Sequence, residues 1–285
     1  LAFLLRVTMV VFSYLKDDRI RTSMDISRYV GVKVLGVIPA TEKGSKKCLR
    51  KKVQNSRKRL QFPRLDQGAP KAFEEAYRTL RANLMFSEET NGAKRIVLAA
   101  PARDEHIGNF TWNLATVLAG EKSRVLIVDC DLTDRWVSRE LAISDTLPGI
   151  AQVICGEYGM VDCLVTTPKE NVSLLPAGNF SGDSAELFSG KRIEELQELV
   201  QKDFDYVLYV APAVTEATDA TVLSRKAVSD GMLLVLCPES ATIQASQFAM
   251  DKLEDAGGHV LGAVLNGYDP EKGVKQDGYY DIYTR

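Results

Sequence analysis

Two aspartates one residue apart, Asp129 and Asp131, close the apolar run Val125-Leu126-Ile127-Val128. A strand ending in Asp-x-Asp sets two carboxylates at one edge of a sheet, where they can hold a magnesium ion or orient a nucleophile. A second junction lies upstream. The strand-like run Arg95–Ala99 is joined by residues 101–108 to a helical pattern over residues 109–119. A strand–loop–helix junction that cradles phosphate reads GxxxxGK[ST]. Its glycines let backbone N–H groups wrap the phosphates, its lysine neutralises their oxygens, and its hydroxyl binds the metal. Here the loop reads Pro101-Ala102-Arg103-Asp104-Glu105-His106-Ile107-Gly108. With the register set on Asn113-Leu114-Ala115, Pro101 takes the place of the first glycine and His106 that of the second. Ile107 takes that of the lysine and Gly108 that of the hydroxyl. The nearest lysines, Lys94 and Lys122, fall outside the loop. A third run, from Asp205 through Tyr206–Val210, ends on Val210 where a metal-side aspartate would stand. A fourth ends at Asn266-Gly267, a strand end that commonly faces the base in nucleotide-binding sheets.

The elements that must position these residues follow from periodicity. Phe73, Tyr77, Leu80 and Leu84 recur at helical spacing, which predicts an amphipathic helix over Lys71–Phe86. Short apolar runs rich in Val, Ile and Leu predict strands at 95–99, 125–129, 172–175, 206–210, 232–237 and 260–266. Ile193, Leu196 and Val200 mark one intervening helix. Ala245, Phe248, Ala249 and Leu253 mark another, stopped by Gly257-Gly258. Continuous apolar strands alternating with helices predict a doubly wound α/β domain with a mostly parallel sheet covered on both faces. Ligands in such sheets sit outside the carboxyl ends of the strands, where the four motifs converge.

Composition sets the outer limits. The chain has 285 residues, 45% of them hydrophobic and 26% charged, with a formal net charge of −2, which suits a globular protein and gives no sign of nucleic-acid binding. Five cysteines without a C-x-x-C pair read as reduced thiols, mostly in the core, and with two histidines no metal site is expected. Leu1–Tyr14 is largely apolar and is followed by Lys16, Arg19 and Arg21. Residues 1–16 read as the end of a truncated transmembrane helix with a cytoplasmic basic flank. Residues 17–40 read as a juxtamembrane segment with a short strand at Val34–Pro39. Residues 41–70 carry Lys43, Lys46, Lys47, Arg50, Lys51, Lys52, Arg57, Lys58, Arg59 and Arg64 against Glu42 and Asp66. They read as a basic linker, a solvated spacer that is also able to meet anionic headgroups. The α/β domain spans 71–267, and 268–285 form a tyrosine-containing tail.

Several segments together resemble the bacterial tyrosine-kinase (BY-kinase) domain of the capsular and exopolysaccharide co-polymerase family. They are Glu75-Ala76-Tyr77-Arg78-Thr79-Leu80-Arg81, Asn113-Leu114-Ala115, Leu175-Pro176-Ala177-Gly178 followed by Ala185-Glu186-Leu187, and Val260-Leu261-Gly262-Ala263-Val264-Leu265-Asn266-Gly267. The resemblance implies a phosphate-loop NTPase-like fold of the deviant-Walker type. It implies that Glu75, Arg78 and Arg81 dock the first helix onto a neighbouring subunit in a ring, and that Tyr268, Tyr279, Tyr280 and Tyr283 are phosphorylated across subunits. It also implies ATP and Mg²⁺ as family cofactors. The family's nucleotide-loop motif is degenerate here at Pro101, Arg103, Glu105, His106, Ile107 and Gly108, its second motif is degenerate at Val210, and Asp129 and Asp131 are read as vestigial catalytic groups. The expectation is a pseudokinase that cannot hydrolyse ATP and has no resident cofactor or metal. It would act in polysaccharide chain-length control and export, on the cytoplasmic side of a bacterial plasma membrane. Its partners would be a homo-oligomeric ring or an active kinase homologue and the polysaccharide export machinery, with no nucleic acid. The alternative is an active ATP-dependent, autophosphorylating tyrosine kinase of the same pathway, with Arg103 as a displaced cation.

Overall fold

The computed structural model describes residues 18–40, 62–104, 106–120, 122–238 and 240–269. Eight strands form one sheet: β1 (Val34–Pro39), β2 (Arg95–Ala99), β3 (Val125–Asp129), β4 (Val165–Thr166), β5 (Val172–Leu175), β6 (Tyr206–Val210), β7 (Gly231–Leu236) and β8 (Val260–Tyr268). Their spatial order is β1-β8-β7-β2-β6-β3-β5-β4. All neighbours run parallel except β4 against β5. The longer helices are α1 (Lys71–Phe86), α2 (Ile107–Ala119), α4 (Lys191–Asp203) and α5 (Ile243–Asp255), with a short α3 (Trp136–Glu140) after β3.

The continuous apolar strands take this form because both sheet faces are covered. Every residue of β3, β6 and β7 is buried, as parallel strands in an α/β layer require. Alternate side chains divide between two cores. Val97, Leu126, Val128, Val207 and Leu234 face one. Ile96, Leu98, Ile127, Leu208 and Leu233 face the other, with Phe73, Tyr77 and Leu80 of α1 and Phe110 and Leu114 of α2. The expected fold and the helix over Lys71–Phe86 are present. Strand β7 starts one residue earlier than its apolar run suggested, at Gly231, which takes φ +154 beside the carbonyl of His259. Strand β8 continues past Asn266 to Tyr268 because β1 extends its ladder.

The segment before the basic linker differs from its reading as a separate juxtamembrane piece. Strand β1 pairs in parallel with β8, Val34 against Ala263 and Ile38 against Asn266. Leu35 and Ile38 are buried in the core that α1 covers. Ahead of β1, Thr22 caps a helical turn, accepting from Asp25 N at 3.1 Å while Asp25 Oδ2 accepts from Thr22 N at 2.9 Å. Ile20 N donates to Ala241 O at 3.0 Å. Residues 18–40 are therefore part of the α/β unit, and their apolar side chains, not their proximity to basic residues, decide where they go.

Two further corrections concern the ends of the domain. Tyr268, expected in an accessible tail, is the last residue of β8 and is 4% exposed. Its carbonyl accepts from Ala40 N at 2.7 Å. Its side chain packs against the hydrophobic core rather than standing in an exposed tail. Tyr279, Tyr280 and Tyr283 lie outside the described residues, as do residues 1–17 and most of the basic linker, 41–61. The end of that linker is ordered: Leu65–Gln67 forms a 3-10 turn on the surface of α2. Among the described residues no helix is long and apolar enough to cross a membrane.

If β1 belongs to the cooperative unit, Ile38→Ala removes a fully buried side chain and costs about 2–5 kcal/mol. Urea unfolding followed by circular dichroism measures this. An unchanged midpoint would mean that β1 detaches without loss.

Candidate functional site

The carboxyl ends of β2, β6, β3 and β7 are adjacent, so the loops that follow them meet at one edge. In that edge β2 and β6 place Leu98 opposite Val210, and β6 and β3 place Val210 opposite Asp129. Val210 is fully buried, and its carbonyl accepts from Cys130 N at 2.8 Å. The sequence-predicted Asp129, Asp131, Val210 and loop residues are thus brought to one region.

Asp129 is fully buried at the end of β3. Its Oδ2 accepts from Ser138 Oγ at 2.7 Å and from Ser138 N at 3.2 Å, while Oδ1 has no protein hydrogen-bond partner. Burial pushes its pKa up to about 7, and the nearby Asp131 adds to the rise against the opposing bonds from Ser138. Asp131 is also buried. Its Oδ1 accepts from Thr133 N at 3.1 Å and Asp134 N at 2.8 Å, shaping the turn that leads to α3. Burial raises its carboxyl too. Asp134 pairs with Arg103 across the edge, and the Arg103 guanidinium lies 5.9 Å from the Trp136 ring centre. Arg103, the displaced cation of the enzyme reading, here pairs with a carboxylate beside an aromatic ring.

The loop after β2 has its own internal order. Helix α2 begins at Ile107, two residues earlier than the pattern indicated, because Ile107 is 3% exposed and packs in the core. The position of a phosphate-binding lysine is therefore taken by a buried hydrocarbon. A Cβ at Gly108 would lie 2.4 Å from the Trp136 carbonyl oxygen and 2.7 Å from its carbon, so the main chain at the start of α3 occupies the space of a hydroxyl-bearing side chain. Pro101 O accepts from Thr215 N at 3.1 Å. Asp104 Oδ1 accepts from His106 N at 3.0 Å, and the His106 ring stacks on Phe62 at 4.0 Å. Glu105 lies outside the described residues. A magnesium–triphosphate pair asks for a backbone cradle, a fixed cation and a hydroxyl. At the matching positions these residues supply a prolyl nitrogen without a hydrogen, Ile107 and Gly108, a donor set that does not fit that pair.

Residues 62–66 form a strap across α2. Asn109 Nδ2 donates to Phe62 O at 3.1 Å, and Asn113 Nδ2 donates to Pro63 O at 2.9 Å. Asn113 Oδ1 accepts from Leu65 N at 2.9 Å. The indole N–H of the buried Trp112 donates to Asp66 Oδ1 at 3.0 Å, with Arg64 bonded to the same carboxylate. Burial works to raise the Asp66 carboxyl, but the bonds from Arg64 and Trp112 outweigh it and hold the pKa below its usual value. Sequence reasoning used Asn113 as a register mark and missed its structural task. The polar face Asn109-Trp112-Asn113 in an otherwise apolar helix was the available signal.

The predicted docking residues lie away from this edge, on α1. Glu75 and Arg78 are exposed and Arg81 is half-buried. Arg78 pairs along the helix with Glu74 at 2.6 Å and Glu75 at 3.5 Å, exposed pairs of little energetic consequence. One grouping went unforeseen in the sequence. Asp104, His106 and Cys237, far apart in the chain, bring their ligand atoms within 4.8 Å of one another. Of the five cysteines, Cys130, Cys163 and Cys237 are buried as expected, Cys155 is exposed, and Cys48 lies outside the described residues.

No protein-family model matches the chain. Among curated proteins it is 27% identical over 206 residues to tyrosine-protein kinase YwqD of Bacillus subtilis, covering 72% of this chain and 85% of that one. It is 27% identical over 255 residues to tyrosine-protein kinase wzc of Salmonella typhimurium, covering 88% of this chain and 35% of that one. The chain therefore spans most of one relative and about a third of the other. Among solved structures the BceF tyrosine kinase domain aligns with TM-score 0.71 and 25% identity over 88% of this chain and 99% of that one. The septum site-determining protein MinD of Pyrococcus horikoshii, complexed with Mg-ADP, aligns with TM-score 0.52 and 24% identity over 66% of this chain and 76% of that one, a likeness of fold.

Two substitutions probe the edge. Gly108→Thr, which restores the hydroxyl, overpacks the Trp136 backbone and costs about 1–3 kcal/mol in urea unfolding. Full stability in this variant would contradict the close contact. Asp129, with its pKa raised in the fold, contributes stability that is fully present below its ordinary value of 3.8 and is lost as the pH rises through about 7. Stability of the parent chain relative to Asp129→Asn therefore falls from about pH 4 to about pH 7. Parallel stability–pH curves for the two would show that the carboxyl is not held neutral.

Proposed function

We propose that this chain, a kinase-like domain of the bacterial tyrosine-kinase family, acts in exopolysaccharide or capsule assembly as a docking and regulatory domain that does not turn over ATP. The observation that carries this reading is the first turn of α2. Ile107 is in the core where the cation would stand, and Gly108 lies against the Trp136 main chain where the metal-binding hydroxyl would stand. Phosphoryl transfer depends on positioning and charge neutralisation. Loss of one preorganised donor in an oxyanion-type site costs about 2.7–4 kcal/mol, and here the cation, the hydroxyl and the aspartate at Val210 are replaced together. In this reading no magnesium nucleotide is resident. The exposed Glu75 and Arg78 and the half-buried Arg81 on α1 meet a second copy or an active homologue in a ring, and Tyr279, Tyr280 and Tyr283 receive phosphate from that homologue. An N-terminal anchor holds the domain at the cytoplasmic face of a bacterial plasma membrane, next to the polymer-export machinery.

A second reading is an active, autophosphorylating tyrosine kinase. It draws on the names of the relatives, YwqD and wzc, both tyrosine-protein kinases, and on the retained Asp129 and Asp131. Those comparisons weigh toward activity, and the chemistry of the α2 turn weighs toward regulation. Calorimetric titration of the purified chain with ATP and Mg²⁺, with a phosphotyrosine blot of the same sample, separates them. The regulatory reading expects no saturable heat and no self-labelling, but labelling of the tail when an active relative is added. Micromolar ATP binding, with self-labelling abolished in Asp129→Asn, would establish the kinase and end the regulatory reading.

A further inference from the structure

We propose that the loops following β2 and β7 form a transition-metal site of the zinc class, with Asp104, His106 and Cys237 as its three protein ligands. Asp104 and His106 belong to the same loop, 101–108, as the degenerate nucleotide motif, but Cys237 comes from another strand and none of the three is of the Asp129 pair, so the metal test reads independently of ATP turnover.

The topology makes the site. Strands β2 and β7 are parallel neighbours, with Ala99 opposite Leu234. The chain therefore leaves both strands side by side at the same edge, and residues separated by more than half the domain in sequence meet. One carboxylate oxygen, one imidazole nitrogen and one thiol sulfur lie within 4.8 Å of one another. Zinc bonds of about 2.0–2.3 Å in a tetrahedron place ligand atoms about 3.3–3.8 Å apart, so a small inward movement of side chains closes the site with no rearrangement of the strands.

Each donor is already positioned. Asp104 is 5% exposed and Cys237 is 1% exposed. The backbone of Cys237 is fixed by a turn in which its carbonyl accepts from Ala241 N at 2.7 Å and Ser240 N at 3.0 Å. Asp104 Oδ1 accepts from His106 N at 3.0 Å, which ties the two ligands of the first loop together. The His106 ring is restrained by stacking on Phe62, so the strap described above also orients a ligand. Half-buried His106 stands at the outer rim. Zinc sites with three protein ligands keep a fourth position for water or substrate.

The mixture of donors selects the metal. Magnesium and calcium take oxygen ligands, which excludes them from a set containing thiolate and imidazole. Zinc, with cobalt as its spectroscopic substitute, accepts S, N and O together. The same edge of the sheet holds one further unpartnered polar side chain among the described residues of β8. Asn266, on the next strand β8, is fully buried, and neither heteroatom of its amide has a protein hydrogen-bond partner, a condition that native structures rarely leave uncompensated.

The test uses the purified full chain, reduced and stripped with chelator, titrated with Co²⁺ and then Zn²⁺. The expected result is one equivalent of cobalt giving a thiolate-to-cobalt charge-transfer band and tetrahedral d–d bands, displaced stoichiometrically by zinc. Zinc should also raise the melting temperature, since a ligand that binds only the folded state stabilises it. Cys237→Ser removes the thiolate band, His106→Ala weakens cobalt binding at least tenfold, and Cys155→Ser changes neither. Circular dichroism of each metal-free variant verifies folding. If Cys237→Ser does not fold, half-buried His106→Ala carries the test. Absence of a thiolate band in the parent chain, persistence of the band in Cys237→Ser, or unchanged affinity in folded His106→Ala would overturn the proposal.

Discussion

Gly108 lets the first turn of α2 lie against the main chain at Trp136, and much of the carboxyl edge of the sheet is arranged around that approach. With α3 held there, Ser138 reaches back to Asp129 and Asp134 meets Arg103. The turn between β3 and α3 is closed by Asp131, and Arg135 in it takes a left-handed φ of 54°. A larger residue at 108 would push α3 outward and loosen all of these. The contact also trades one chemistry for another: a helix terminus packed on a carbonyl cannot present a side-chain hydroxyl at the same point.

The electrostatics of the edge follow from the same packing. Asp129 is enclosed by β6 and α3, burial raises its carboxyl pKa, and its Oδ2 accepts from Ser138, so a carboxyl that reads as a metal-side anion in the sequence is bonded here to the start of α3. Arg103 and Asp134 neutralise each other.

The sheet was legible because its strands are uniformly apolar and their lengths are bounded by polar residues. Val125–Asp129 and Tyr206–Val210 needed no tertiary information. The outlying strand β1 was visible as a strand but not as a member of the sheet, since a basic neighbourhood suggested a separate segment and nothing local announces pairing with a strand more than two hundred residues away. Tyr268 was misplaced for the same reason: ladder partners decide where β8 ends. The strap at 62–66 was hidden because composition marks a basic stretch as solvated, while its bonds run from main-chain groups to Asn109 and Asn113. At the site, the loop's loss of lysine and hydroxyl could be read directly. The meeting of His106 with Cys237 could not, because it depends on which strands are neighbours, and sequence order does not give that.

The bond from Ala40 N to Tyr268 O has a geometric outcome of its own. It fixes one corner of the molecule as the common departure point for the lysine- and arginine-rich stretch that starts after residue 40 and for the tyrosine-bearing stretch that starts after residue 269. Two stretches of different composition, one rich in lysine and arginine and one carrying Tyr279, Tyr280 and Tyr283, therefore leave the described unit from adjoining backbone positions.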